Sequence, residues 1–137
     1  MEKGYAHKEG IDYEETLSPT TKWATIHTFL SMAAQNGWKV HHMDVKTAFL
    51  NGDLKETVFM SQPKCFVVKG QEKKVCKLGK SLYGLKQAPW AWYENLTKHI
   101  LNLNFKYYNL DDATLFVNKV GRSIVFILVY VDGLLMT

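Results

Sequence analysis

Two aspartates, Asp44 and Asp132, each stand where an apolar stretch gives way to a turn. Asp44 ends Trp38-Lys39-Val40-His41-His42-Met43, which reads as a strand, and Asp132 follows the apolar run Ile124 to Val131. A carboxylate at a strand end is held by the sheet while the loop beyond leaves one side open, a common setting for a metal ligand. Two carboxylates brought together repel unless a proton or a divalent cation lies between them. Oxygen ligands on a partly open site suit Mg2+, which keeps waters and completes its shell with substrate phosphates. A pair of such ions roughly 3.5–4 Å apart can activate an attacking hydroxyl and stabilise the leaving oxygen in phosphoryl or nucleotidyl transfer. Aspartate is also an ordinary turn and capping residue, and Asp53, Asp111 and Asp112 are available too, so spacing leaves both readings open.

For the two acids to meet, the fold must bring distant elements together. Ser18-Pro19 sets up a helix in which Trp23, Ile26, Phe29 or Leu30, and Ala33 or Ala34 recur at helical spacing, with Gly37 at the C-terminal cap. That helix feeds the strand from Trp38 to Asp44, and Asn51-Gly52 reads as a sharp turn after it. Val58-Phe59-Met60 is a short strand. Cys65 to Val68 and Val75 to Leu78 read as two arms of a hairpin tipped by the basic loop Lys69 to Lys74. Pro89 starts a second helix whose apolar face is Trp92, Leu96, His99 or Ile100, and Leu103. Leu115 to Val117 and Ser123 to Val131 form a last hairpin, followed by a turn at Asp132-Gly133. The order predicts an α+β fold, an antiparallel sheet backed by helices. The acids then meet only if the Trp38 strand and the Val125 strand are neighbours.

The chain's 137 residues suffice for one domain with a real core. Hydrophobic residues at 47% and charged residues at 22% are those of a soluble globular protein, and a net charge of +4 is compatible with a polyanionic partner. Cys65 and Cys76 have no Cys-x-x-Cys spacing and read as reduced, partly buried thiols. The N-terminus has no apolar signal region, and Ile124 to Val131 is too short to span a bilayer, so an intracellular, cytoplasmic protein without membrane contact is expected. A zinc or copper site on His41, His42 and the cysteines is disfavoured, because adjacent strand residues point to opposite faces.

Four stretches in order, Gly10-Ile11-Asp12-Tyr13-Glu14-Glu15-Thr16, His42-Met43-Asp44-Val45-Lys46-Thr47-Ala48-Phe49-Leu50-Asn51-Gly52-Asp53-Leu54, Ser81-Leu82-Tyr83-Gly84-Leu85-Lys86-Gln87-Ala88-Pro89 and Tyr130-Val131-Asp132, closely resemble the reverse transcriptase domain of copia-type long-terminal-repeat retrotransposons. The resemblance covers essentially the whole chain. It implies a polymerase palm-and-fingers fragment over residues 1–137, without the fingers N-terminus, thumb, RNase H or integrase regions. It implies RNA-directed DNA polymerase activity, with two Mg2+ ions as cofactors and a primed RNA or DNA template and dNTP as partners. Asp44 and Asp132 resemble the family's catalytic metal-binding aspartates, and the Val45 carbonyl resembles a backbone metal ligand. Phe49 matches the aromatic under the sugar of the incoming nucleotide, and Gly84 the glycine that lets backbone approach the templating base pair, with Tyr83 beside it. Lys86 and Gln87 take template or primer contacts in the same reading.

One departure bears directly on chemistry. Gly133 stands where the family's Tyr-x-Asp-Asp turn has its second aspartate. Asp-Gly is a strong two-residue hairpin signal, so the turn is expected to survive. The site nevertheless loses one charge and one oxygen ligand, and catalysis is expected to be weakened or lost. The alternative is a non-catalytic remnant that is inert or binds nucleic acid weakly. Trp90, Cys65 and Lys64 are further departures from the pattern.

Overall fold

The computed structural model describes residues 18–109 and 111–137; the Gly10–Thr16 motif and the acidic stretch around it lie outside them. Helix α1 (Trp23–Asn36) leads to strand β1 (His41–Asp44), a 3-10 turn (Ala48–Asn51), β2 (Phe59–Ser61), a second 3-10 turn (Lys64–Phe66) and β3 (Val75–Lys77). Helix α2 (Ala88–Asn102) and strands β4 (Lys106–Asn109), β5 (Asp112–Val120), β6 (Ser123–Tyr130) and β7 (Gly133–Met136) follow. Five strands pair antiparallel in the order β1-β7-β6-β5-β4, while β2 and β3 form a separate antiparallel pair. This is the expected α+β architecture.

Alternation along β5 and β6 divides the core into two layers. Phe116, Ile127 and Val129 face α2, packing with its Ile100 and Leu96, while Phe126 and Leu128 face α1 and meet its Phe29. Because both faces are covered, β6 reads as an unbroken apolar run rather than an alternating one. Phe116 and Leu128 are fully buried, each contributing about 1.5–3 kcal/mol relative to exposure.

Helix α1 ends in a Schellman motif: Gly37 adopts φ 64°, its N–H bonds the Ala34 carbonyl, and Trp38 N–H bonds the Ala33 carbonyl at 2.9 Å. Trp23, expected on the apolar face, is 70% exposed. It sits at the helix start, about a quarter turn away from the Ile26–Phe29–Ala33 stripe. Pro89 occupies the first turn of α2, as its fixed φ favours.

Four expectations are corrected. Strand β1 begins at His41, and Trp38 instead stacks on Phe126 with ring centroids 5.8 Å apart. The partner of β3 is β2, not Cys65–Val68. Gln62 accounts for this, since its side-chain amide donates to the Gln71 and Lys74 carbonyls at 2.7 and 2.9 Å and accepts from Val68 N–H at 2.9 Å. Those bonds satisfy the loop backbone locally, and Cys65 falls in the 3-10 turn after Pro63. Both cysteines are free and exposed, not partly buried. Finally, β1 neighbours β7 rather than the Val125 strand, and it is the β6–β7 turn that carries Asp132 to Asp44.

Candidate active site

Asp44 is the last residue of β1, directly opposite Gly133, the first of β7. One position further on, Val45 N–H donates to the Asp132 carbonyl at 3.0 Å. The two aspartates therefore sit at adjoining strand ends, with Asp44 exposed and Asp132 half-buried. Neither carboxylate is hydrogen-bonded to another described residue. The other aspartates with resolved partners are engaged structurally. Lys80 pairs with Asp53 and, by hydrogen bond and charge, holds its carboxyl below the ordinary range. Asp112 is pushed up by burial, but hydrogen bonds from Thr114 and Thr25 outweigh that and leave it lowered.

Left-handed backbone brackets the pair. Val131, at the apex of the β6–β7 turn, has φ 54°, and Thr47, three residues after Asp44, has φ 56°. Both are β-branched, for which this region is sterically costly, and such residues concentrate at functional sites. The positive φ of the turn falls on Val131, not on Gly133, so the Asp-Gly pair is not its centre. A buried indole holds the turn in place: Trp92 of α2, 6% exposed, donates from Nε1 to the Val131 carbonyl at 3.0 Å.

The loop after β1 is fixed just as closely. Gly52 has φ −74°, ordinary for any residue, but a Cβ there would lie 2.7–2.9 Å from Ser81 Oγ, Trp92 N and the Ala91 carbonyl carbon. Close approach to α2, rather than turn geometry, requires this glycine. Ser81 Oγ donates to the Phe49 carbonyl, Ser81 N–H to the Gly52 carbonyl at 3.0 Å, and Asn95 Nδ2 to the Asn51 carbonyl at 2.5 Å. The segment that follows Asp44 is thus tied to the 81–89 motif.

That contact brings Phe49 and Tyr83 together, with ring centroids 4.7 Å apart and planes tilted by 47°. Phe49 is half-buried against the Val58–Leu85–Ala88 cluster, and Tyr83 is 41% exposed. Gly84 follows with φ 101°, a conformation that disfavours any side chain. Lys86 is exposed. Gln87 is buried, and neither end of its side-chain amide has a hydrogen-bond partner among the described residues.

Sequence reasoning did not single out Trp92, Gly52 or Ser81 as residues that build this site. Trp92 was legible only as one apolar position of a helix, although a buried indole N–H must find an acceptor. Gly52 and Ser81 act through contacts between segments far apart in the chain, which no local pattern reveals.

Two carboxylates at neighbouring strand ends and the carbonyl of Val45 are oxygen donors of the kind a hard cation takes. As the side chains stand, no three of His, Cys, Asp and Glu converge among the described residues. Mg2+ characteristically takes one or two carboxylates and fills its shell with water and substrate phosphate, so the pair fits such an ion better than an all-protein cage. No described helix is long and apolar enough to cross a membrane.

The family described as reverse transcriptase (RNA-dependent DNA polymerase) matches residues 1–137. The chain is 47% identical over 135 residues to the retrovirus-related Pol polyprotein from transposon RE1 of Arabidopsis thaliana, covering 98% of this chain and 9% of that protein. It is 42% identical over 134 residues to the corresponding polyprotein from transposon TNT 1-94 of Nicotiana tabacum, covering 98% of this chain and 10% of that protein. A more distant match, 32% over 96 residues, is the transposon Ty1-H Gag-Pol polyprotein of Saccharomyces cerevisiae, with 66% of this chain and 5% of that protein covered. The chain thus spans about a tenth or less of the length of these relatives. No solved structure matches it at a significant level.

Proposed function

The chain belongs to the reverse transcriptase (RNA-dependent DNA polymerase) family, and from that premise we propose that it is a palm-and-fingers part of a copia-type polymerase acting in nucleotidyl transfer from dNTP to a primer 3′-hydroxyl. The observation that supports the reading most directly is the Val45 N–H to Asp132 carbonyl bond at 3.0 Å, which sets Asp44 and Asp132 side by side. In this reading the two carboxylates and the Val45 carbonyl hold divalent cations, Mg2+ in the first instance. When bound, the ions supply charge stabilisation for the transferred phosphoryl group.

The remaining roles fall to the chain's own side chains. Phe49, braced against Tyr83, forms an aromatic floor for the sugar of the incoming nucleotide. Gly84 leaves room for backbone to approach the base pair, and Lys86 offers a cation to a phosphate. Gln87, being buried, shapes the start of α2 beneath the template side instead of touching the template through its amide.

Gly133 leaves the site a carboxylate short, so the reading includes a severely weakened rate. Primer extension on an RNA template, with Mg2+ and separately Mn2+, tests it on the parent chain, Gly133→Asp and Asp44→Asn. Little or no incorporation by the parent, with gain by Gly133→Asp, is the expected pattern. Incorporation by Asp44→Asn equal to that of Gly133→Asp would refute the assignment of Asp44. Failure of Gly133→Asp to gain any activity favours the second reading, a non-catalytic remnant.

A further inference from the structure

We propose that the β2–β3 ribbon and the loop joining its strands form a binding face for single-stranded nucleic acid, carried on the small sheet rather than on the five-stranded sheet of the aspartates. Of the chain's 17 basic and 13 acidic residues, five lysines and one glutamate fall within residues 59–77. The 12 basic and 12 acidic residues elsewhere cancel, so this short span carries the whole net charge of +4. Lys64, Lys69, Lys73, Lys74 and Lys77 are all exposed, and none forms an ion pair with a described residue; the surface pairs are Lys55–Glu94 and Lys80–Asp53. Glu72, the one acid among them, accepts from Gly70 N–H at 2.8 Å and is turned to the loop backbone.

Register decides which way the ribbon faces. Phe59 pairs with Lys77 and Ser61 with Val75, so these four share one face, while Met60 and Cys76 share the other. One step along the ladder, Leu78 N–H bonds the Val58 carbonyl at 2.9 Å, and Val58 and Leu78 pack in the Leu85–Ala88 cluster. The Met60 face therefore turns toward the core and the Phe59 face away from it, leaving Phe59 56% and Val75 57% exposed. Gln62 gathers the loop at the Ser61–Val75 end through its bonds to the Gln71 and Lys74 carbonyls and to Val68 N–H. Phe66, in the 3-10 turn after Pro63, is 77% exposed. Unpaired cations and two bare aromatic rings are thus held in one ordered unit.

The lysines call for a polyanion, and the rings narrow its kind. Lysines that neutralise backbone phosphates gain affinity by releasing counterions, whatever the base sequence. A base stacks on an exposed ring only when its own face is free, so the phenylalanines favour an unpaired strand over a duplex. Phe59 lies directly across the ladder from Lys77, which sets a ring and a cation side by side, as the base and phosphate of one nucleotide require. An acidic peptide would use the lysines and leave the rings without a role.

The test is fluorescence anisotropy of a labelled oligothymidylate of about 20 nucleotides with the 137-residue chain, in EDTA so that no divalent ion takes part. Replacing Lys69, Lys73 and Lys74 together with glutamine is expected to weaken binding about tenfold or more and to lower the slope of log affinity against log salt by about 2. A control triple, Lys106→Gln, Lys119→Gln and Arg122→Gln, removes the same charge from exposed positions on β4 and the β5–β6 hairpin and is expected to weaken binding about threefold or less. Phe59→Ala and Phe66→Ala, at exposed sites where folding is not at stake, are each expected to cost about fivefold on the single strand while changing binding to a duplex of equal length less than about twofold. Equal losses in the two triples would overturn the location. Single-strand affinity within about twofold of the parent in both phenylalanine variants would overturn the stacking role and with it the single-strand assignment. Tighter binding to phosphatidylserine vesicles than to the oligonucleotide would overturn the proposal in favour of a lipid surface. Asp44→Asn is expected to leave oligonucleotide affinity unchanged, so failure of the polymerase reading and failure of this one are separable.

Discussion

Replacing Trp92 with phenylalanine isolates the contact that holds the Asp132 turn. The substitution keeps an aromatic ring in the α2–sheet interface but removes the donor of the 3.0 Å bond to the Val131 carbonyl. A hydrogen bond of this kind contributes about 1 kcal/mol net. Val131 is 46% exposed, so water can reach its carbonyl and the full penalty of a buried orphan acceptor does not apply. The smaller ring at a site only 6% exposed adds about 1 kcal/mol through lost packing. The total of about 2 kcal/mol corresponds to a Tm lower by roughly 6–10 °C for a domain of this size. Thermal and urea unfolding followed by far-UV circular dichroism measure it without relying on tryptophan fluorescence. A merely structural tryptophan would show the same loss, so the discriminating measurement is a double-mutant cycle with Val131→Gly. Glycine relieves the φ 54° strain, about 1 kcal/mol for a β-branched residue. Once the indole bond is gone the turn relaxes, and the gain from Val131→Gly shrinks. A coupling of about 0.5 kcal/mol or more is expected. Additivity within about 0.3 kcal/mol would refute the claim that Trp92 clamps the turn.

Two other perturbations test the packing around the site. Gly52→Ala places a Cβ within 2.9 Å of the α2 backbone and is expected to cost about 1–3 kcal/mol, while Gly79→Ala, with open space around it, is near neutral; equal urea midpoints for the two would contradict the close approach. Asp112 has a native pKa below its ordinary 3.8, so its carboxylate stabilises the fold fully above that value, and the contribution fades as pH falls through the lower native one. Asp112→Asn should accordingly lose stability at pH 6 and show a shallower further decline below pH about 4 than the parent; parallel acid limbs in urea titrations would show that Thr25 and Thr114 do not hold the charge.

Local chemistry in the sequence carried the helix ends, since Gly37 and Pro89 act through backbone preferences that a few neighbouring residues determine. The β5–β6 hairpin was legible for the same reason, as an apolar run bounded by a Gly121 turn. Strand partnership was not. Nothing in Val75–Lys77 says whether it pairs with Phe59–Ser61 or with Cys65–Val68, because the choice is made by Gln62, whose amide satisfies the loop from outside any strand pattern. The same limit hid β7. Gly133–Met136 is too short to declare itself, yet it inserts between β1 and β6 and changes which strand end meets Asp44. That Asp44 and Asp132 stand at strand ends was legible because residue type at a strand terminus is a local signal. Their supports, Trp92, Gly52 and Ser81, are contacts across the chain.

Position 133 shows how chemistry and architecture separate at this site. The sequence suggested that glycine favours the turn, but the residue in the left-handed region is Val131, and Gly133 lies in β7 with backbone any residue adopts. A Cβ there would meet its nearest neighbours at 3.5 Å, ordinary van der Waals contact, so close packing at that point does not require a glycine. What pairs Gly133 with Asp44 and Tyr130 is the backbone ladder, which is indifferent to the side chain. With glycine at this point Asp44 and Asp132 stand at adjoining strand ends, held by Val45 and Trp92. An aspartate placed at position 133 is therefore expected to act through charge and ligand count, so metal affinity, rather than stability, is the quantity in which Gly133→Asp should be read.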